Sequence, residues 1–304
     1  MVKTVSLHKN GPDVSNLIYG TWRILDVTPQ PSPRDILKRL EGCLELGIHT
    51  LDTAEIYGGY TVEAALGKAF SLSPSLKEQF TIVSKAGIDI PSSEKTHARL
   101  NHYDASEANL VRCVEKSLQL MGVEALNLFL VHRPDWLTRA EDTAAGLNRL
   151  IQEGKILHAG VSNYSRSEFE LLSQFVDQPL VTNQLEISLL HMDALYDGTL
   201  NQAEAMGARP MAWSALAGGK IFNQEIAASQ RLHEAMEEMR NRYDGAPDDV
   251  LAFAWVMAHP SQPVPILGTN KMERIRSSAQ AASIQLERQD WFALWEAAKG
   301  YSVP

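Results

Sequence analysis

The chain has 304 residues, 44 % of them hydrophobic, and carries 28 Lys and Arg against 37 Asp and Glu for a formal net charge of −9. That length suits one catalytic domain spanning residues 1–304; the apolar share supports a sizeable core, and the acidity argues against nucleic-acid or anionic-membrane partners. No run approaches the ~18 apolar residues of a membrane span, MVKTVSLHKNGPDV lacks the apolar stretch of a secretory leader, and Cys43 and Cys113 form no CxxC pair, so a reduced, cytoplasmic protein is expected.

In chain order, the first signal is Asn10-Gly11 between partly alternating residues, which reads as a hairpin capping the bottom of the domain. Eight strand-like runs come next: LIYGTW (17–22), HTLDTA (49–54), FTIVSKAG (80–87), LNLFLVHR (126–133), ILHAGVSN (156–163), VTNQLEIS (181–188), PMAWSAL (210–216) and PVPILGT (263–269). Helical segments separate them. Ser32-Pro33-Arg34-Asp35 offers an N-cap with proline at the first helical position, and Asp104…Glu107, Thr138…Glu141 and Ser165…Glu168 have capping-box spacing. Leu110, Val114 and Leu118 make an apolar stripe that ends at Gly122. Extra helices, RLHEAMEEMRNRY and DDVLAFAWVMA, lie between the seventh and eighth runs, and Trp291, Leu294, Trp295 and Ala298 give a C-terminal helix packed on the rest. Strand–helix alternation repeated eight times fits a closed barrel or an open doubly wound sheet; no GxGxxG is present, which favours a (β/α)8 TIM barrel.

In such a barrel the C-terminal strand ends meet at one face, where catalytic groups collect. Asp52, Lys85 and His132 close three successive runs, and Tyr57 follows Asp52 in the loop AEIYGGY. Singly each has a plain structural reading: a turn cap, a strand-end surface lysine, a strand-terminating histidine, a loop ring. Together they are a proton-donating constellation.

The segments LDTAEIYGGYTVEAALGKAF, IVSKAGI, LFLVHRPD, GVSNYS, TNQLEISLL, AWSALAGGKIF and PILGTNKMERI, in that order, resemble the aldo-keto reductases, in particular their bacterial oxidoreductase branch. The resemblance implies reduction of an aldehyde or ketone with NADPH, without a Rossmann domain, on a catalytic set Asp52, Tyr57, Lys85 and His132. Tyr57 would protonate the oxygen as hydride reaches carbon, Lys85 would lower the phenol's pKa, Asp52 would hold Lys85, and His132 would direct the substrate oxygen. It further implies that Ser162, Asn163 and Gln184 contact the nicotinamide carboxamide while Trp213 stacks on the ring. Ser214, Leu216, Gly218, Gly219 and Lys220 would follow the pyrophosphate, although Lys220 reads equally as a solvated lysine. Gly268, Thr269, Asn270 and Arg274 would form the adenosine 2′-phosphate clamp, which departs from the family pattern at Gly268 and at Ser277-Ser278.

Trp22, Tyr60 and Trp136 lie just beyond strand ends and read either as walls of an apolar substrate pocket or as packed loop aromatics. Tyr301 on the tail is a further residue that could reach the site. A monomer acting on a small-molecule carbonyl, with no metal, is the expectation, since neither HxH nor HExxH is present. The alternatives are a cofactor-binding regulatory protein that keeps the fold without the chemistry, and, more remotely, metal-assisted hydrolysis on a similar barrel.

Overall fold

Period-two alternation within very short strands decides where the side chains of this chain point. The computed structural model describes residues 2–96 and 98–304. An antiparallel pair, β1 (Thr4–Ser6) and β2 (Asp13–Ser15), is followed by β3 (Ile18–Gly20), α1 (Pro33–Glu45) and β4 (Thr50–Asp52). The one-turn α2 (Tyr57–Tyr60), α3 (Val62–Leu72) and α4 (Pro74–Lys77) lead to β5 (Thr81–Ala86). A second small antiparallel pair, β6 (Ile88–Asp89) and β7 (His102–Tyr103), precedes α5 (Glu107–Met121). Then come β8 (Leu128–Val131), α6 (Ala140–Gln152), β9 (Ala159–Ser162), α7 (Arg166–Ser173), β10 (Asn183–Glu186), α8 (Thr199–Met206) and β11 (Met211–Trp213). Helices α9 (Ala227–Met239) and α10 (Asp248–Met257) intervene before β12 (Val264–Leu267), with α11 (Met272–Ser278) and α12 (Arg288–Lys299) after it.

Strands β3, β4, β5, β8, β9, β10, β11 and β12 close into a barrel in that order, all neighbours parallel. This is the expected (β/α)8 TIM barrel with its N-terminal hairpin and extra helices, and each of the eight predicted runs supplies one strand. The second antiparallel pair went unpredicted.

The lumen is apolar below and polar above. Val83, Leu128, Leu130, Met211, Val264 and Ile266 cluster inside with Leu7 and Val14 of the hairpin, which plug the lower end. The alternate residues Leu51, Phe129, Val131 and Leu267 face outward into the larger core under the helices. Lys85 shares parity with Val83, so the strand that buries one inward-facing valine carries the next inward side chain, a lysine, to the upper end of the lumen. Ser84 between them points outward and its hydroxyl donates to Glu63 of α3 at 2.6 Å.

Local signals were honoured unevenly. Ser32 and Asp35 form a capping box on α1, as do Ser165 and Glu168 on α7. Asp104 does not cap α5: Ser106 does, accepting from Asn109 N, while an Asp104 carboxylate oxygen takes the Ser106 N–H at 3.0 Å. Nor does Thr138 cap α6, because its hydroxyl donates to Asp135 and the helix starts at Ala140 behind an uncapped Arg139. The Asn10-Gly11 hairpin forms, but its loop runs from Leu7 to Pro12, closed by Leu7 N–H to Pro12 O at 3.1 Å. Seating Leu7 in the barrel end makes the loop longer than a two-residue turn, and Gly11 sits close to the barrel instead: a Cβ there would lie 3.1 Å from Val181 Cβ.

Helix α3 meets α5 at Gly67, where an added Cβ would lie 1.9 Å from the Leu120 carbonyl oxygen. Alanine is the better helix former by about 1 kcal/mol, but overpacking against backbone costs about 1–3 kcal/mol and occasionally more. Gly67→Ala should therefore destabilise by roughly 2 kcal/mol in urea denaturation; a variant as stable as the parent would mean that the α3–α5 contact yields freely.

Candidate active site

Burying a lysine requires replacing its hydration shell, and the upper lumen does so completely. Lys85, 1 % exposed, donates to both Asp52 carboxylate oxygens at 2.8 Å and to the Thr53 carbonyl at 2.7 Å. Asp52 Oδ1 also accepts from Gln184 Nε2 at 2.7 Å. Strand β10 lies opposite β4 in the ring, four strands away in either direction, so this bond crosses the lumen.

Tyr57 and His132 pack over the pair. Lys85 Nζ lies 4.9 Å from the Tyr57 ring centroid, and the Tyr57 and His132 rings meet edge-on at 6.1 Å. All four predicted catalytic residues thus converge. Their electrostatics differ from expectation in one respect. The phenol of Tyr57 is pushed well above its usual value, first by burial and then by the charge and hydrogen bonding of Asp52. Lys85 does not offset this, because its ammonium is committed to Asp52 and Thr53.

His132 is held well below the usual imidazole value by burial, then by Lys85 and Arg133, so it is neutral. Its Nδ1 is buried without a hydrogen-bond partner. A proton there would be a buried donor with no acceptor, so Nδ1 carries the lone pair and Nε2 the proton.

Four residues predicted around the nicotinamide form one connected group across β9, β10 and β11. Trp213 Nε1 donates to Asn163 Oδ1 at 3.0 Å, Asn163 Nδ2 to Ser162 Oγ at 2.7 Å, and Ser162 Oγ to the Gln184 carbonyl at 3.0 Å. The Gln184 amide must present its NH2 end to Asp52, since a carboxylate only accepts, which leaves Oε1 as the end available to a ligand. Asn163, Ser214 and Ala217 have φ of 59°, 52° and 51°, and Gly218 and Gly219 continue at 66° and 94°. The two glycines serve this left-handed backbone, with nothing within 4 Å of an added Cβ. Leu216 packs on the core, and Lys220 is exposed.

After β12, Gly268 and Arg274 are exposed and Thr269 is half-buried, its Oγ1 accepting from Lys271 N at 3.3 Å. Among the described residues Lys220, Lys271, Arg274 and Arg276 have no ion-pair partner, and these cations flank the ends of the adjoining strands β11 and β12. Asn270 behaves otherwise. Its amide takes the Tyr19 hydroxyl at 3.1 Å and donates to the Arg23 carbonyl, so the side chain ties two loops together.

The predicted pocket aromatics separate. Trp22 and Trp136 are 58 % and 83 % exposed, Trp136 resting edge-on against Tyr103 at 6.0 Å. Tyr60 is only 5 % exposed. Its hydroxyl accepts from Ile90 N at 2.8 Å and donates to the Ile88 carbonyl at 3.3 Å, anchoring the second antiparallel pair. Tyr301 packs on Trp295 at 5.5 Å and remains with α12. Sequence reasoning missed two buried polar groups beside the site, Glu63 with Ser84 and Ser117, and Glu55 with Lys95 and Asp89. Only burial reveals them, and the sequence signals present were an acid inside AEIYGG and a lysine inside a Ser-rich stretch.

Fold and site together define an enzyme that handles protons at the mouth of a parallel barrel, with a polar bed beside it for a cofactor. The model of the aldo/keto reductase family matches residues 16–299, and the chain belongs to that family. It is 39 % identical over 304 residues to the oxidoreductase YdhF of Escherichia coli strain K12, covering 100 % of both chains. It is 40 % identical over 295 residues to a 6-dehydroglucose reductase of Agrobacterium fabrum, covering 96 % of each. The crystal structure of the thermostable aldo-keto reductase Tm1743 with the inhibitor epalrestat superposes with a TM-score of 0.80 at 26 % identity, over 97 % of this chain and 99 % of that one. The chain is accordingly an NAD(P)H-dependent oxidoreductase acting on carbonyls.

The depressed His132 value has a direct spectroscopic consequence. Because the folded value lies below the ordinary ~6.5, the neutral ring persists as pH falls through the range where an exposed histidine charges. Nitrogen NMR should show a neutral, Nε2-protonated His132 at the ~6.5 where an exposed histidine is half charged; a titration centred near 6.5 would contradict the lowered value.

Proposed function

We propose that the chain is an NADP-dependent reductase of aldehydes or ketones in which Tyr57 is the proton donor. The observation that carries this reading is the buried Lys85–Asp52 pair, with Tyr57 and neutral His132 packed over it at the C-terminal face of the barrel. When bound, the nicotinamide cofactor supplies the hydride. His132 Nε2–H hydrogen-bonds the substrate oxygen and fixes its direction. Tyr57 stays protonated through neutral pH and gives its proton to that oxygen as negative charge develops there, an alkoxide being more basic than even a raised phenolate. Lys85 Nζ, paired with Asp52, lies 4.9 Å from the centre of the ring on which the phenolate forms.

The residues fit a dinucleotide. Asn163, Ser162, Gln184 and Trp213 would hold and flank the nicotinamide, the loop from Ser214 through Lys220 would run along the pyrophosphate, and the unpaired Arg274 with Thr269 and Gly268 would receive the 2′-phosphate. Asn270 would shape that loop through Tyr19 and Arg23 instead of touching the cofactor. Trp22 and Trp136 would border the substrate. The name of the Agrobacterium relative, at 40 % identity, motivates a hexose-type aldehyde as the substrate to place first in a panel with aromatic aldehydes and ketones. Aromatic aldehydes exceeding it in kcat/KM would redirect the substrate class.

Tyr57→Phe keeps the ring and removes the proton. With purified protein and NADPH, turnover should fall by about 10²–10⁴-fold while NADPH affinity stays within about twofold. Parent-like turnover would remove Tyr57 from its role.

Cofactor choice is tested at Arg274. Charge-assisted bonds to a phosphate contribute about 1.5–3 kcal/mol when well formed, less on an exposed side chain. Arg274→Ala should weaken NADPH binding by roughly tenfold and leave NADH nearly unaffected, as read by tryptophan fluorescence. Equal losses for the two cofactors would place Arg274 outside the 2′-phosphate contact, and a parent that prefers NADH would refute the NADP assignment.

A further inference from the structure

The loop that carries Tyr57 leaves β4 after Asp52 and has little regular structure to hold it. Its own backbone gives Glu55 N–H to the Lys85 carbonyl at 2.9 Å and Tyr57 N–H to the Ala54 carbonyl at 3.1 Å. A stronger tie comes from outside. Glu55, two residues before Tyr57, turns inward, and its Oε1 receives Lys95 Nζ at 2.9 Å. Lys95 belongs to the connection between β6 and β7, and the same ammonium bonds Asp89 Oδ1 at 2.7 Å. It lies 3.8 Å from Cys113 Sγ of α5 and 5.6 Å from the centroid of the Tyr60 ring.

Lys95, Glu55, Asp89 and Cys113 are all buried. An ammonium taken out of water persists only where other groups replace its hydration, and here the replacement comes from the catalytic-face loop on one side and from β6 on the other. Tyr60 repeats the connection on the same side, its backbone at φ 70° turning its hydroxyl to both Ile88 and Ile90. Glu55 Oε2 is buried with no hydrogen-bond partner, so Lys95 is the one cation its carboxylate touches among the described residues.

We propose that Lys95 is a positioning residue of the reductase: through Glu55 it clasps the β6–β7 excursion to the loop bearing Tyr57 and so fixes where the phenol stands. This rests on Tyr57 being the proton donor. Displacing a donor by about 1 Å can cost on the order of 10²-fold in rate. Among the described residues, the groups facing Glu55 are Lys95 and Asp89 of the excursion, Cys113 of α5, Tyr60 of α2 and, farther off, Glu63 of α3; Arg112 of α5 is turned to Asn109. Without Lys95 the ammonium that bridges the Glu55 and Asp89 carboxylates is gone, and the tie between the two segments goes with it.

The test is Lys95→Met. Its kcat should fall roughly ten- to hundredfold while KM for NADPH stays within about twofold of the parent's. Amide exchange should be at least about tenfold faster at Tyr57, Tyr60 and Ile90 in the single variant. Parent-like kcat with unchanged exchange would overturn the proposal, as would a loss confined to KM with kcat left parent-like. If Lys95→Met does not fold, Glu55→Leu severs the same tie while Lys95 keeps Asp89; the same loss of kcat and of protection is expected, and parent-like behaviour again overturns it. Should Tyr57→Phe turn over like the parent, the proton-donor reading fails by itself, and the exchange rates at Tyr57, Tyr60 and Ile90 still decide the clasp.

Discussion

The ion pair between Lys85 and Asp52 is the constraint around which the upper barrel is arranged. Two opposite charges in water attract weakly, but removing both from water costs several kcal/mol each, returned only when geometry is close and every remaining lone pair or proton is used. Here the ammonium has three acceptor contacts and one carboxylate oxygen gains a second donor from Gln184. An apolar pair of similar volume would pack this space with less desolvation. The charges are better explained by what they add, beyond burial, to their half-buried neighbours: Asp52 helps keep the Tyr57 phenol protonated and Lys85 helps keep the His132 imidazole neutral.

That arrangement demands backbone conformations the chain would not otherwise choose. Of the non-glycine residues with positive φ, Tyr60, Asn163, Ser214 and Ala217 all follow barrel strands at the C-terminal face. Each holds a conformation that costs on the order of 1–3 kcal/mol, and in each the surroundings fix it. Asn163 is bonded to Trp213 and Ser162, Ala217 N–H reaches the Ser214 carbonyl at 2.6 Å, and Tyr60 is bonded at its hydroxyl from two sides. Strain collects where strands end because regular ladders no longer dictate the backbone and side-chain bonds can.

Legibility in the sequence followed the range of the forces involved. The eight barrel strands were readable because β-branched runs alternate with amphipathic helices, and the convergence of Asp52, Lys85 and His132 followed from their being strand ends. Competing local bonds were not readable: Ser106 outcompetes Asp104 for the α5 cap, and Asp135 captures Thr138 before it can cap α6. Strands β6 and β7, two residues each, leave no periodicity to detect. Lys95 stands in SSEKTH, a stretch whose composition reads as solvated, and its burial depends on acids six and forty positions away. For the same reason the bonds that Tyr60 makes to Ile88 and Ile90, and Asn270 to Tyr19 and Arg23, were not readable, since those partners come from distant segments.

Net charge and local charge also point in opposite directions. At −9 the molecule as a whole repels an anion. At physiological ionic strength, however, fields decay over about 8 Å, so a phosphate arriving at the ends of β11 and β12 responds mainly to the side chains there. Lys220, Lys271, Arg274 and Arg276 are unpaired among the described residues, whereas Lys116, Arg149, Lys155 and Arg166 on the helical flank are matched by nearby glutamates. Pairing removes most of a cation's pull on a third party, and leaving it unpaired preserves that pull. The acidic surface and a site for a phosphorylated cofactor are therefore compatible, because the charges near these strand ends, and not the net charge of the whole chain, set the field that a phosphate meets there.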